Sequence, residues 1–151
     1  MKRVLLGVGF GLVLLLSQLA AAATPEQAQR MVERAADFLR LNGPEKTFAA
    51  IDDPKGPFKD GDLYVFVHDK TGLIRAHGGF PSYIGTNTIW ARDRNGKEFV
   101  REIVNVATSK WIAYEWLNPI SMVTEQKIVY VLRVGDLFLC SGAYAEAPGK
   151  Q

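Results

Sequence analysis

Arg75 and His77, two residues apart on one predicted strand, and Lys127 at the start of another are the side chains best equipped to hold a small anion. Arginine offers a two-pronged donor, lysine a point charge and tyrosine a neutral hydroxyl. Tyr64, Tyr114 and Tyr130 place hydroxyls at strand positions, while Phe66 and Trp116 share faces with Tyr64 and Tyr114 as apolar walls against water. Charge-assisted bonds of this kind contribute roughly 1.5–3 kcal/mol each, enough to orient a small ligand. Each residue also has a plainer use. A lone ring fills a core, Arg75 decorates a solvated strand, and Lys127 charges a sheet edge against aggregation. His68, beside Asp69 at a turn, reads as exposed.

Catalytic and metal-binding constellations are missing from the sequence. Two histidines and one cysteine cannot build an H-E-x-x-H, C-x-x-C or C-x-x-C-H site. No G-x-S-x-G elbow occurs, and Gly78-Gly79 lacks the context of a phosphate-binding loop. Asp52-Asp53 and Asp60 with Asp62 lack the surrounding pattern of a calcium loop. The expectation is a non-enzyme with no cofactor and no metal. Cys140 follows Leu137, Phe138 and Leu139, which points to a buried strand thiol that forms no internal disulfide.

The first residues have the layout of a secretory signal peptide. Met1-Lys2-Arg3 is a short positive start, Val4 to Leu19 is almost wholly apolar, and Ala20 to Ala23 offers small residues for cleavage before Ala23 or Thr24. Residues 1–23 are therefore expected to be removed, leaving a periplasmic or secreted protein. The alternative is an uncleaved anchor, since Val4 to Ala23 could just cross a bilayer. The 18 Lys and Arg exceed the 16 Asp and Glu by the two charges of the leader, Lys2 and Arg3. A neutral mature chain without a basic run has no footprint for nucleic acid.

Residues 24–147 are expected to form one domain, with 148–151 a short tail. Thr24, Pro25 and Gln27 give a capping box and a first-turn proline. Ala28, Met31, Val32, Ala35, Phe38 and Leu39 then recur at helical spacing until Asn42-Gly43-Pro44. A shorter helix is predicted from Pro44 to Ile51. Leu63 to His68 alternates two faces, with Tyr64, Phe66 and His68 on one and Leu63, Val65 and Val67 turned to the first helix. Asp69-Lys70-Thr71-Gly72 turns the chain into a strand from Leu73 to His77, whose alternation puts Arg75 and His77 on one face. Gly78 to Arg94 reads as an irregular connection long enough to cover a site. A crossover helix is predicted over 96–109, with strands over 111–117, 127–134 and 137–144, the last two joined by Gly135-Asp136. The fold class is α+β: a five-stranded antiparallel sheet with a long N-terminal helix and helices on one side.

The run from Gly61 to Ala145 resembles the single Cache domains, second type, of bacterial extracytoplasmic sensors. The likeness lies in Asp62-Leu63-Tyr64-Val65-Phe66-Val67 with Asp69 and Gly72, in His77, and in Gly85 with Asn87. It continues in Asp93, Gly96, Lys97 and Phe99, in Tyr114-x-Trp116-x-Asn118-Pro119, in Lys127 with Tyr130-Val131, and in Gly142-x-Tyr144. The resemblance implies a PAS-like fold that binds a small organic molecule, often a short carboxylate, between the sheet and the loops over it. Ser109-Lys110 replaces a glycine often seen in such domains, and Ile128-Val129 a small polar residue, changes that bear on which ligand fits. Family members usually sit between membrane helices. No such helix follows here before Gln151, so the expected partner is a separate membrane receptor or histidine kinase. The expected ligand-contacting set is Tyr64, Phe66, Arg75, His77, Tyr114, Trp116, Lys127 and Tyr130. The rival reading is a protein–protein module with a vestigial pocket, forming a homodimer through its N-terminal helix or pairing with a membrane sensor.

Overall fold

Helix α1 runs from Pro25 to Asn42 because both ends are chemically closed. Thr24 Oγ1 accepts from the Gln27 amide and Gln27 Oε1 accepts from the Thr24 amide, the reciprocal arrangement of a capping box. At the other end Gly43 takes φ 79° and donates its amide to Leu39, and Pro44 starts α2, Pro44–Asp52. The coordinates are a computed structural model that describes residues 22–145. The expected leader over 1–23, apart from Ala22 and Ala23, and the tail over 148–151 lie outside the described residues.

The sheet is antiparallel throughout. Strand β1 spans Lys59–Asp60, β2 Leu63–Asp69, β3 Ile74–His77, β4 Ser109–Leu117, β5 Thr124–Val134 and β6 Leu137–Tyr144. Their order is β1-β2-β6-β5-β4, with β3 also on β2. The five long strands are those expected, and β1 adds a two-residue extension beside β3. Gly135 at φ 62° makes the tight turn between β5 and β6.

Two cores flank this sheet. On one face Leu63, Val65, Val67, Ala76 and Leu139 pack against Ala28, Met31, Val32, Ala35, Ala36 and Leu39 of α1. On the other, Tyr64, Phe66, Tyr114, Val129, Phe138 and Cys140 pack against a short helix α3, Phe99–Ile103. The expectation of helices on one side alone is therefore corrected, since α3 lies across the sheet from α1.

The crossover helix is also shorter than its apolar stripe suggested. Its predicted start fails because Asp93 Oδ1 accepts from the amides of Asn95 and Lys97 in a turn that places Gly96 at φ 80°, which no α-helix contains. Beyond Ile103 the bonds tighten, with Val106 donating to Ile103 and Asn105 Nδ2 to Arg101, before the chain extends into β4. Of the apolar stripe expected on that helix, Phe99, Val100 and Ile103 are buried, Val104 is half-buried and Ala107 is exposed.

Candidate functional site

Between the second face of the sheet and its cover lies a cavity of about 310 Å³ of atom-free space, its open mouth included. Because that figure includes open solvent, the enclosed space is far smaller and admits only a molecule of few heavy atoms. β2 contributes Tyr64, Phe66 and His68, β3 contributes Ile74 and His77, and β4 contributes Tyr114 and Trp116. Phe99 and Val100 of α3 and Thr88 of the Gly78–Arg94 connection complete the lining, which contains no Asp or Glu. Period-two alternation puts the β2 trio on one face, and β6 holds it there through the pairing of Phe66 with Cys140 and His68 with Phe138.

His77 is fixed as a donor. Its Nδ1 accepts from the Gly79 amide (3.2 Å) and the Phe80 amide (2.9 Å), so the proton of the neutral ring sits on Nε2. The ring stacks on Phe66 at 5.5 Å and beside Tyr64 at 5.2 Å. Burial, with the Lys127 charge adding to it, drives its pKa down to about 3. The Asp52 carboxylate anchors this strand end by accepting from the His77 amide at 2.9 Å.

Gly79 is what allows the close approach of this loop to Tyr64. A Cβ there would lie 2.6 Å from Cε1 and Cζ of the Tyr64 ring. The substitution Gly79→Ala is therefore expected to lower stability by about 1–3 kcal/mol in urea unfolding, because a ring buried on all sides has nowhere to move. An unchanged midpoint would contradict this packing.

Lys127 lies beside the cavity without being part of its lining. It is 1% exposed, and its Nζ has no hydrogen-bond partner among the described residues. Instead Nζ sits 3.9 Å from the centroid of Tyr64, 4.7 Å from Tyr144 and 5.3 Å from Phe66. Two of those three rings also line the cavity. Gly142, on the neighbouring strand, leaves the space its stem needs, since a Cβ there would approach Lys127 Cε to 3.0 Å. Loss of water lowers its pKa to about 7, against the pull of Cys140 and Asp62. The ring faces favour the ammonium, yet no carboxylate among the described residues pairs with it.

The tyrosines stay neutral. Tyr64 and Tyr144 hydroxyls lie 3.1 Å apart, and Tyr144 donates to the Leu117 carbonyl at 2.8 Å, so the Tyr64 proton is the one shared between them. Burial raises the pKa of Tyr64, Tyr114 and Tyr144. Cys140 is likewise raised by burial and is no nucleophile at neutral pH.

Of the residues expected to contact a ligand, Tyr64, Phe66, His77, Tyr114 and Trp116 line the cavity. Arg75 and Tyr130 do not. Phe66 pairs with His77 and Val67 with Ala76, but His68 pairs with Ile74, so Arg75 is the extra residue of a β-bulge. The bulge returns Ile74 to the cavity face and sends Arg75 out to Asp69 (3.7 Å) and over the Phe48 ring of α2 (5.4 Å). Tyr130 fails by simple parity. It lies an odd number of residues from Lys127, packs on the α1 face and sits 5.0 Å from Trp111.

His68 is the residue that the sequence reading misplaced. It is 3% exposed, and its Nε2 lies 3.1 Å from Thr88 Oγ1. The alternation with Tyr64 and Phe66 already contained that answer, and the neighbouring turn obscured it. Thr88 carried no signal, because only the path of an irregular connection brings it there.

Asn118 holds the turn before β5, accepting from the amides of Ile120 and Ser121 and donating to Asp62 and Glu125. This leaves Ile120, Met122 and Val123 exposed at its tip. Among the described residues no helix is long and apolar enough to cross a membrane.

The profile of the family Single Cache domain 2 matches residues 20–146. Three solved structures share the fold. A methyl-accepting chemotaxis protein from Vibrio parahaemolyticus is 22% identical at TM-score 0.68, over 80% of this chain and 88% of its own. The periplasmic sensor domain of a chemotaxis protein is 24% identical at TM-score 0.64, over 80% and 90%. A Cache chemosensory domain described as recognising carboxylic acids is 19% identical at TM-score 0.69, over 80% and 92%. No curated protein sequence matches the chain. With the profile covering nearly its whole length and the α+β architecture matching these neighbours, the chain belongs to the single Cache domain 2 family.

Proposed function

We propose that this domain is an extracytoplasmic binding protein for a short organic carboxylate, working as a sensory input or as an accessory to a separate receptor, and not as an enzyme. One observation carries the reading. A buried lysine that pairs with no carboxylate among the described residues lies against two rings of a small cavity whose lining contains donors and no Asp or Glu. A bound anion would supply the missing charge, since Coulomb attraction is strong where water is excluded. His77 Nε2–H and the Tyr114 hydroxyl are the donors that would orient it, with Phe66, Phe99 and Trp116 as walls.

A thermal-shift series with acetate, propionate and glycolate against matched amines tests this. Ligand at a hundredfold excess over Kd should stabilise by about 2.7 kcal/mol, seen as a rise of several degrees. No shift with any acid, or an equal shift with amines, rejects the reading.

The exposed Ile120, Met122 and Val123 favour a second role as a protein contact. Pairing of two copies through α1 has less to recommend it. The apolar stripe of α1 faces its own sheet, and its outward residues include Arg30, Glu33, Arg34, Asp37 and Arg40, with Leu41 the exposed exception. A partner membrane receptor or histidine kinase stays within the proposal.

A further inference from the structure

His68 has one nitrogen with no assigned work. The Gly72 carbonyl accepts from the Thr88 amide at 2.9 Å and lies 3.2 Å from Thr88 Oγ1. With the hydroxyl proton turned to that carbonyl, Oγ1 accepts from His68 Nε2–H at 3.1 Å, the arrangement that leaves Nδ1 as the unprotonated nitrogen. That Nδ1 is buried and has no partner among the described residues, on a side chain that lines the cavity. A buried acceptor left bare is costly, and native folds seldom leave one without a reason. His77, which also packs against Phe66, offers the opposite group, a donor N–H, for the reason given above. The two imidazoles are thus locked into different tautomers by Thr88 and by the Gly79 and Phe80 amides. Together they ask for a ligand with an acceptor at one place and a donor at another.

We infer that the cavity selects hydroxy acids over unsubstituted acids, with His68 Nδ1 accepting the ligand hydroxyl and Thr88 holding His68 in the accepting tautomer. An ammonium could also donate to His68. The lining offers no carboxylate to pair with it, and the Lys127 charge lies close by, so a neutral hydroxyl is the better donor. The small volume restricts the choice to short acids. This inference rests on the carboxylate reading of the same site and deepens it.

Calorimetric titration of the whole protein with matched pairs tests it: acetate against glycolate, propionate against lactate, and alanine as the ammonium counterpart. In the wild type the hydroxy acid should bind about tenfold tighter than its partner or better, the value of one hydrogen bond to a buried group. His68→Phe should bring each pair to within about threefold by weakening the hydroxy acid while the plain acid changes little. Thr88→Val keeps the imidazole and removes the lock, so it should narrow the preference without abolishing binding, and it carries the test if His68→Phe does not fold. Equal affinities within the pairs, a preference that survives these substitutions, or alanine binding tighter than lactate overturns the inference and leaves the carboxylate reading standing. Failure of every acid to bind overturns both.

Discussion

Lys127→Met is expected to yield a protein that is more stable at neutral pH and binds anions much more weakly. Burial moves the lysine from its ordinary 10.5 to about 7, and each unit corresponds to about 1.4 kcal/mol. The cost of burying the ammonium is thus of the order of 5 kcal/mol, of which the three aromatic faces return about 1–2 kcal/mol. A methionine of similar length has no charge to desolvate, and isosteric apolar replacement of a buried charge commonly stabilises. The expected gain is about 1–3 kcal/mol in urea unfolding at pH 7.5. Anion affinity should fall tenfold to a hundredfold with the loss of the charge.

The same lysine sets a pH signature. Its folded pKa lies below its unfolded value, so between pH 7 and 9 the unfolded chain binds more protons and stability rises with pH. The substitution should flatten that rise. Above pH 9 the buried Cys140 and tyrosines act in the opposite direction, because the fold keeps their protons. Anion affinity in the wild type should weaken up to tenfold per unit above pH 7, as binding comes to require proton uptake. A variant that is less stable than wild type, or that keeps its affinity, would sink this account of Lys127.

Acid should destabilise the domain from pH 6.5 downward, before its carboxylates titrate. His68 and His77 fall from 6.5 to about 4 and about 3 because burial disfavours their charged forms. Their contribution to stability is complete above pH 6.5 and is lost as pH falls toward those folded values. At pH 4.5, two units below the unfolded value, each has lost about 2.7 kcal/mol, so the pair has lost about 5 kcal/mol. That is a large fraction of the 5–15 kcal/mol typical of a whole domain. Geometry gives the same direction for His77, whose protonation would end its acceptance of the Gly79 and Phe80 amides. Urea midpoints at pH 7.5, 6.0 and 4.5 check it, and a flat profile across that range would refute it.

Much of the architecture was legible because it depends on local chemistry. Thr24, Gln27 and Gly43 bound α1, the alternation of Leu63 to His68 divides β2 between two cores, and Gly135 turns β5 into β6. The aromatic pair Tyr114 and Trp116 reached the cavity by the same alternation, held in register by the pairing of Tyr114 with Lys127 and Trp116 with Glu125. The misreadings have distinct causes. Tyr130 was a lapse of parity, which the sequence itself contradicts. The crossover helix failed where Asp93 folded its own turn and where the chain was drawn into β4.

The sequence by itself determined where the chain turns and which strand faces are apolar, since caps, glycines and period-two alternation act within a few residues. Only the tertiary structure decided which polar groups meet the cavity. One extra residue in β3 sends Arg75 outward, and the path of an irregular connection brings Thr88 to His68. The pairing of β6 with β2 on one side and β5 on the other brings three rings around Lys127. Those outcomes depend on strand register and on contacts between residues far apart in the chain, which no local pattern encodes.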